Sequence, residues 1–147
     1  AVRNKALGKA RPDRILGRLV EIDHHIAAEN EIELPAHRPG TEQIEFVEAH
    51  EAAHAVAACN FHVPKPTIQA KEYIAYVAMF SSMSPELRQQ AMGATRTEGF
   101  ESLDRFTPLL YMFDPMRFGA EAYRHYSSAT NRNQLLQDIL AGRVLVD

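Results

Sequence analysis

His50, Glu51 and His54 fall within five residues, HEAAH, in the longer stretch EFVEAHEAAHAVAACNF from Glu45 to Phe61. On an α-helix, positions four apart lie one above the other on the same face. The two imidazoles therefore point the same way and can share one ion. Zinc accepts imidazole nitrogen at about 2.0–2.1 Å. Glu51 is turned by about 100° from His50. It is badly placed to bind the same ion, but it can reach a water that the ion holds and act as its base. The chemistry these types and spacings point to is metal-assisted hydrolysis.

A pattern this short also arises by chance, so the reading depends on a third ligand. A metzincin arrangement would need glycine at 57 and histidine at 60; the chain has Ala57 and Asn60, which excludes it. Two candidates remain. His62 lies about two turns past His54, in the break HVPKP (His62–Pro66), and its ring would have to fold back a long way. Glu72 opens the most apolar stretch of the chain, with Ile68, Ala75, Tyr76 and Met79 as its helical neighbours. A carboxylate on that face is expected to be buried, and burial is costly unless it is paired or binds a metal. The turn around Pro64 and Pro66 lets the following helix run back antiparallel and bring Glu72 beside the histidines. Two histidines and one glutamate leave the fourth zinc position open for water. The competing reading of Glu72 is a solvated glutamate in the first turn of its helix.

HEAAH, then seventeen residues, then EYIAY (Glu72–Tyr76) resembles the gluzincin branch of the zinc metallopeptidases and small bacterial HExxH domains. In that branch the third ligand is a glutamate on the next helix, in an E-x-x-A setting that Glu72-Tyr73-Ile74-Ala75 matches. The resemblance covers Glu45–Phe80, about a quarter of the chain. It implies His50, His54 and Glu72 as ligands of one zinc per chain, Glu51 as base, a compact zincin-like fold, and a peptide or protein substrate. FDPMRFGAEAYRHY (Phe113–Tyr126) is similar to exported bacterial proteins of this kind, which implies a periplasmic or secreted location. The chain departs from the peptidases upstream: only Glu31–Leu34 offers an edge strand to hold an extended peptide.

Attack on an amide creates an oxyanion that a Tyr or His donor can stabilise. Tyr76, Tyr111, Tyr123, His125 and Tyr126 are the candidates, with His125 and Tyr126 favoured because AYRHY (Ala122–Tyr126) clusters them. Asp104 and Asp114 are candidates to fix the second nitrogens of the ligating histidines. Asp23-His24-His25 reads as solvated surface, since adjacent helical residues diverge by about 100°. Cys59 and the Met and Phe positions of Met79–Met83 and Met112–Phe118 read as core.

Helical periodicity, punctuated by proline, supplies the elements that must position these groups. Helices are predicted over 13–30, over 41–61 with Thr41 as N-cap, over 67–83, from Pro85 to about Gly93 after Ser84, and over 101–113, 115–127 and 131–141. Strand character is confined to 31–34 and the closing AGRVLVD (Ala141–Asp147). The fold class expected is mainly α. The basic residues 1–12 read as a flexible tail and residues 13–147 as one domain. With 147 residues, 46% of them hydrophobic, the chain can bury a core. A formal net charge of −3 argues against nucleic acid as partner, and no apolar run is long enough to span a bilayer. One cysteine excludes a cysteine-based zinc finger. Because the chain starts at Ala1, the expectation is a processed protein or an excised domain. The functional expectation is a zinc-dependent metallopeptidase in which Glu51 activates a zinc-held water. The alternatives are a catalytically silent zinc-stabilised binding or regulatory domain, a toxin or effector domain excised from a larger protein, or a helical domain without metal.

Overall fold

A computed structural model describes residues 41–95 and 99–146. The predicted tail at 1–12, the helix at 13–30, the Asp23-His24-His25 cluster and the strand at 31–34 lie outside these residues. The described elements are α1 (Thr41–Ala58), α2 (Ile68–Ser82), α3 (Pro85–Ala94), a 3-10 turn (Leu103–Arg105), α4 (Pro108–Phe113), α5 (Pro115–Ser128) and α6 (Arg132–Leu140). No strand occurs among the described residues. The fold is mainly α, as the periodicity predicted.

Start signals place most of these helices. Thr67, Ser84, Thr107, Asp114 and Asn131 each cap the helix that follows, accepting from the backbone N–H three residues on. Each such cap is worth about 1 kcal/mol. In α3, α4 and α5 the cap is followed at once by proline, which is pre-set for the first helical position and has no N–H to leave unpaired. Thr41, predicted as a cap, is itself helical. The single helix predicted over 101–113 is split, because Thr107-Pro108 ends one segment and starts another.

α2 is the central element. Gln69, Ala70 and every residue from Glu72 to Phe80 are buried, as expected of a helix apolar nearly all round. α1 lies along one side of it. His54 meets Glu72 while His50, one turn earlier, meets Tyr76, so α1 and α2 run antiparallel. Ala53, Ala75 and Ala78 form their own small buried cluster, and side chains this small let the two helices approach closely.

On the other side α5 presents Phe118, which packs with Phe106; Phe106 in turn meets Tyr73 and Phe100. Glu121, also on α5 and 0% exposed, accepts the backbone N–H groups of Gly99 and Phe100 at 3.2 Å, one on each carboxylate oxygen. These bonds tie the segment that carries Phe100 to α5.

The link between α1 and α2 is fastened from the C-terminal side. The His62 N–H donates to Leu140 O at 2.8 Å, and the Thr67 hydroxyl donates to Leu145 O. The short strand predicted in the closing AGRVLVD is absent among the described residues. Gly142 and Leu145 adopt left-handed backbone, φ 66° and 55°, which breaks the extended run and turns the Leu145 side chain inward, where it is buried.

Two core assignments are corrected. Cys59 is exposed, because it continues the helix face that already exposes Ala52 and Ala55. Of the Met and Phe positions in Met112–Phe118, Met112 and Phe113 are 74% and 81% exposed and Met116 is also exposed, whereas Phe118 is buried. α4 has only six residues, and Leu110 and Tyr111 are the ones packed against the core. Replacing Ala53 by Leu should force α1 away from α2. The expected loss is on the order of 1–3 kcal/mol, readable as a lowered urea midpoint.

Candidate metal centre

The turn spacing of α1 and the antiparallel return of α2 converge on one point. His50 Nε2 stands 3.4 Å from Glu72 Oε2, and His54 Nε2 stands 3.4 Å from Glu72 Oε1. The two Nε2 atoms are 3.1 Å apart. The three ligand atoms all lie within 4.8 Å of one another. Four ligands placed about 2.0–2.1 Å from a tetrahedral zinc stand roughly 3.3–3.4 Å from each other. Each imidazole meets a different oxygen of Glu72, so the two nitrogens and the carboxylate stand close enough to converge on one ion.

Burial sharpens the fit. Glu72 is 7% exposed, and its Oε2 is buried with no hydrogen-bond partner. Buried polar atoms are ordinarily paired; this oxygen faces His50 Nε2 at 3.4 Å without a hydrogen bond, and a cation between them would compensate it. Burial holds His50 below its ordinary pKa of 6.5; His54 acts in the same direction, and Glu72 and Glu51 oppose it. A neutral imidazole with a free lone pair is the state that binds metal.

Glu51 lies on the exposed side of α1, yet its carboxylate acts electrostatically on both His50 and Tyr111. Tyr111, on α4, lies near enough for both Glu72 and Glu51 to act on its phenol; burial first, then Glu72 and Glu51, push its pKa up. Tyr76 packs edge-to-face on His50, with ring centroids 4.6 Å apart. Burial first, then Tyr111 and Glu72, push its pKa up to about 12. Both hydroxyls therefore stay protonated and able to donate at neutral pH.

The other sequence candidates stand elsewhere. His125 Nδ1 and the Tyr73 hydroxyl are hydrogen-bonded at 2.7 Å, and the His125 ring lies against Tyr73 and Phe106. Tyr126 lies under Arg132. Tyr123 stacks on Phe80 and accepts from Arg88. His62 is exposed. Asp104 bonds within its own turn to Ser102, and Asp114 caps α5 through the Arg117 N–H, so neither holds a ligating histidine. The structure brings Tyr111 to the ligands, and not the two donors favoured from sequence. The signal that could have singled it out is the restart at Thr107-Pro108, which sets the rotation of α4.

The chain belongs to a family of unknown function, DUF6639, whose model matches residues 18–147. No curated protein and no solved structure matches it.

Zinc added to the metal-free protein should bind once per chain and raise the melting temperature. At a hundredfold excess over Kd the gain is about 2.7 kcal/mol, and His50→Ala, His54→Ala or Glu72→Ala should abolish it. The metal-free protein has its own pH dependence. His50 and His125 are both held below 6.5 by burial, so on acidification the unfolded chain takes up protons before the folded one. Stability should be full above about pH 7.5 and fall as pH drops through 6.5 towards the lowered folded values. Urea midpoints that stay constant from pH 7.5 to 5.5 would contradict this.

Proposed function

We propose that this DUF6639 chain is a zinc-dependent hydrolase, specifically a metallopeptidase of the gluzincin type. His50, His54 and Glu72 would hold the ion, and Glu51 is the general base. One observation carries the reading: two imidazole nitrogens 3.1 Å apart, each 3.4 Å from a different oxygen of one buried carboxylate, a group able to close on a single ion. The sequence resemblance around HEAAH and EYIAY supports the same assignment. Bound there, zinc supplies Lewis acidity, polarising the scissile carbonyl and acidifying a water.

The chain's own groups do the rest. Glu51, one residue after a ligand and open to solvent, takes the proton of the attacking water. It then passes that proton to the leaving amine. Tyr111 keeps its proton and faces the ligand carboxylate, so it is the donor placed to meet the developing oxyanion. His50, held below its ordinary pKa by burial, enters as a neutral imidazole. Among the described residues no helix is long and apolar enough to cross a membrane, and the proposed substrate is a peptide or protein amide.

A second reading, a zinc-stabilised binding domain without turnover, draws on the exposed stripe of Leu109, Met112, Phe113 and Met116. Exposed apolar clusters of this kind mark interaction surfaces. Glu51→Gln separates the two readings. It should keep one zinc per chain and abolish cleavage of a mixed peptide library. If wild type and Glu51→Gln cleave equally little, the binding reading stands. Tyr111→Phe should lower kcat by about 10²-fold or more with KM little changed; an unchanged kcat would remove Tyr111 from the mechanism.

A further inference from the structure

His50 presents Nε2 to Glu72 and His54, while its other nitrogen, Nδ1, is buried without a hydrogen-bond partner. A ligating imidazole is ordinarily oriented by a hydrogen bond at the nitrogen facing away from the ion. Here nothing among the described residues bonds that atom, and packing must orient the ring. Besides His54, the ring against it is Tyr76, with planes at 72°. Edge-to-face contacts of this kind have a preferred geometry.

Tyr76 has its place only because α5 carries no side chain at Gly119. A Cβ there would stand 2.6 Å from Tyr76 Cγ and nearer still to Cδ1. Gly119 lies inside a helix, and its φ is not among the positive ones. Backbone geometry therefore does not call for glycine. Glycine in a helix is unfavourable relative to alanine, so what it supplies at this position is room for the Tyr76 ring.

We propose that Tyr76, seated in the notch at Gly119, is the positioning residue for His50, doing by ring packing what a hydrogen bond at Nδ1 does in other sites. Its affinity readout rests on the metal reading above; its packing readout does not need the metal. The test uses the full chain, zinc and Co2+ as probes, and the variants Gly119→Ala, Tyr76→Phe and Tyr76→Leu. Gly119→Ala should weaken zinc binding by about 10–100-fold and alter the visible spectrum of the Co2+ form. Tyr76→Phe keeps the ring and should stay close to wild type, whereas Tyr76→Leu should lose affinity as Gly119→Ala does. In the metal-free protein the ring C–H resonances of His50 should move in Gly119→Ala and Tyr76→Leu and hold in Tyr76→Phe.

If wild type binds no zinc, the metal reading fails, and these resonances alone decide the positioning. The proposal is overturned if Gly119→Ala folds and keeps the His50 resonances of wild type, or keeps its zinc affinity and cobalt spectrum. If Gly119→Ala does not fold, the two Tyr76 variants decide: equal His50 resonances or equal affinities in Phe and Leu overturn it.

Discussion

Glu72 places a carboxylate in the second turn of a helix buried from Gln69 to Phe80 except at Lys71, and an ionised group in that setting costs several kcal/mol unless something compensates it. The rest of the described structure is arranged around this constraint. α1 returns alongside α2 in the register that puts His50 and His54 against the carboxylate. Ala53, Ala75 and Ala78 let the helices come close enough for nitrogen and oxygen to stand 3.4 Å apart. Larger side chains at those positions would leave each helix intact but pull the three donors apart.

The groups around the donors come from separate elements, and each is held by its own local device. Glu51 follows from helical phase, since a residue next to a ligand must turn away from the ion. Tyr111 rides on a helix of six residues bounded by the caps Thr107 and Asp114. Tyr76 depends on α5. A donor set on two long helices, with polar groups supplied by short and independently capped ones, keeps rigidity where spacing matters most.

Much of this was legible in the chain itself. Periodicity and proline punctuation located α1, α2, α3, α5 and α6 to within a few residues. The meeting of His50, His54 and Glu72 was legible because i, i+4 spacing is local and because Glu72 was out of place in an apolar run. Other features were not legible, for reasons of the same kind. The split at Thr107-Pro108 follows the cap-proline rule that marks Ser84-Pro85, yet an apolar run across it masked the break. His125 was favoured as a donor because it clusters in sequence with Tyr126, but which way its ring turns is decided by Tyr73, fifty-two residues earlier. The outward face of Met112 and Phe113 depends on how a short helix is rotated, and composition says nothing about that. The role of Glu121 depends on two backbone N–H groups more than twenty residues away.

α2 has almost no solvent face, and that limits how such a protein can diversify. Nearly every position along it touches neighbours on all sides, so a substitution there meets a packed wall before it meets a ligand. Changes in what the site accepts would therefore have to accumulate on the open face of α1 beside Glu51, on α4 around Tyr111, or outside the described residues. The donor-bearing helix would drift slowly while its surroundings varied. Among relatives, the most invariant stretch would then mark where the chain cannot be repacked, and the functional differences would be found beside it.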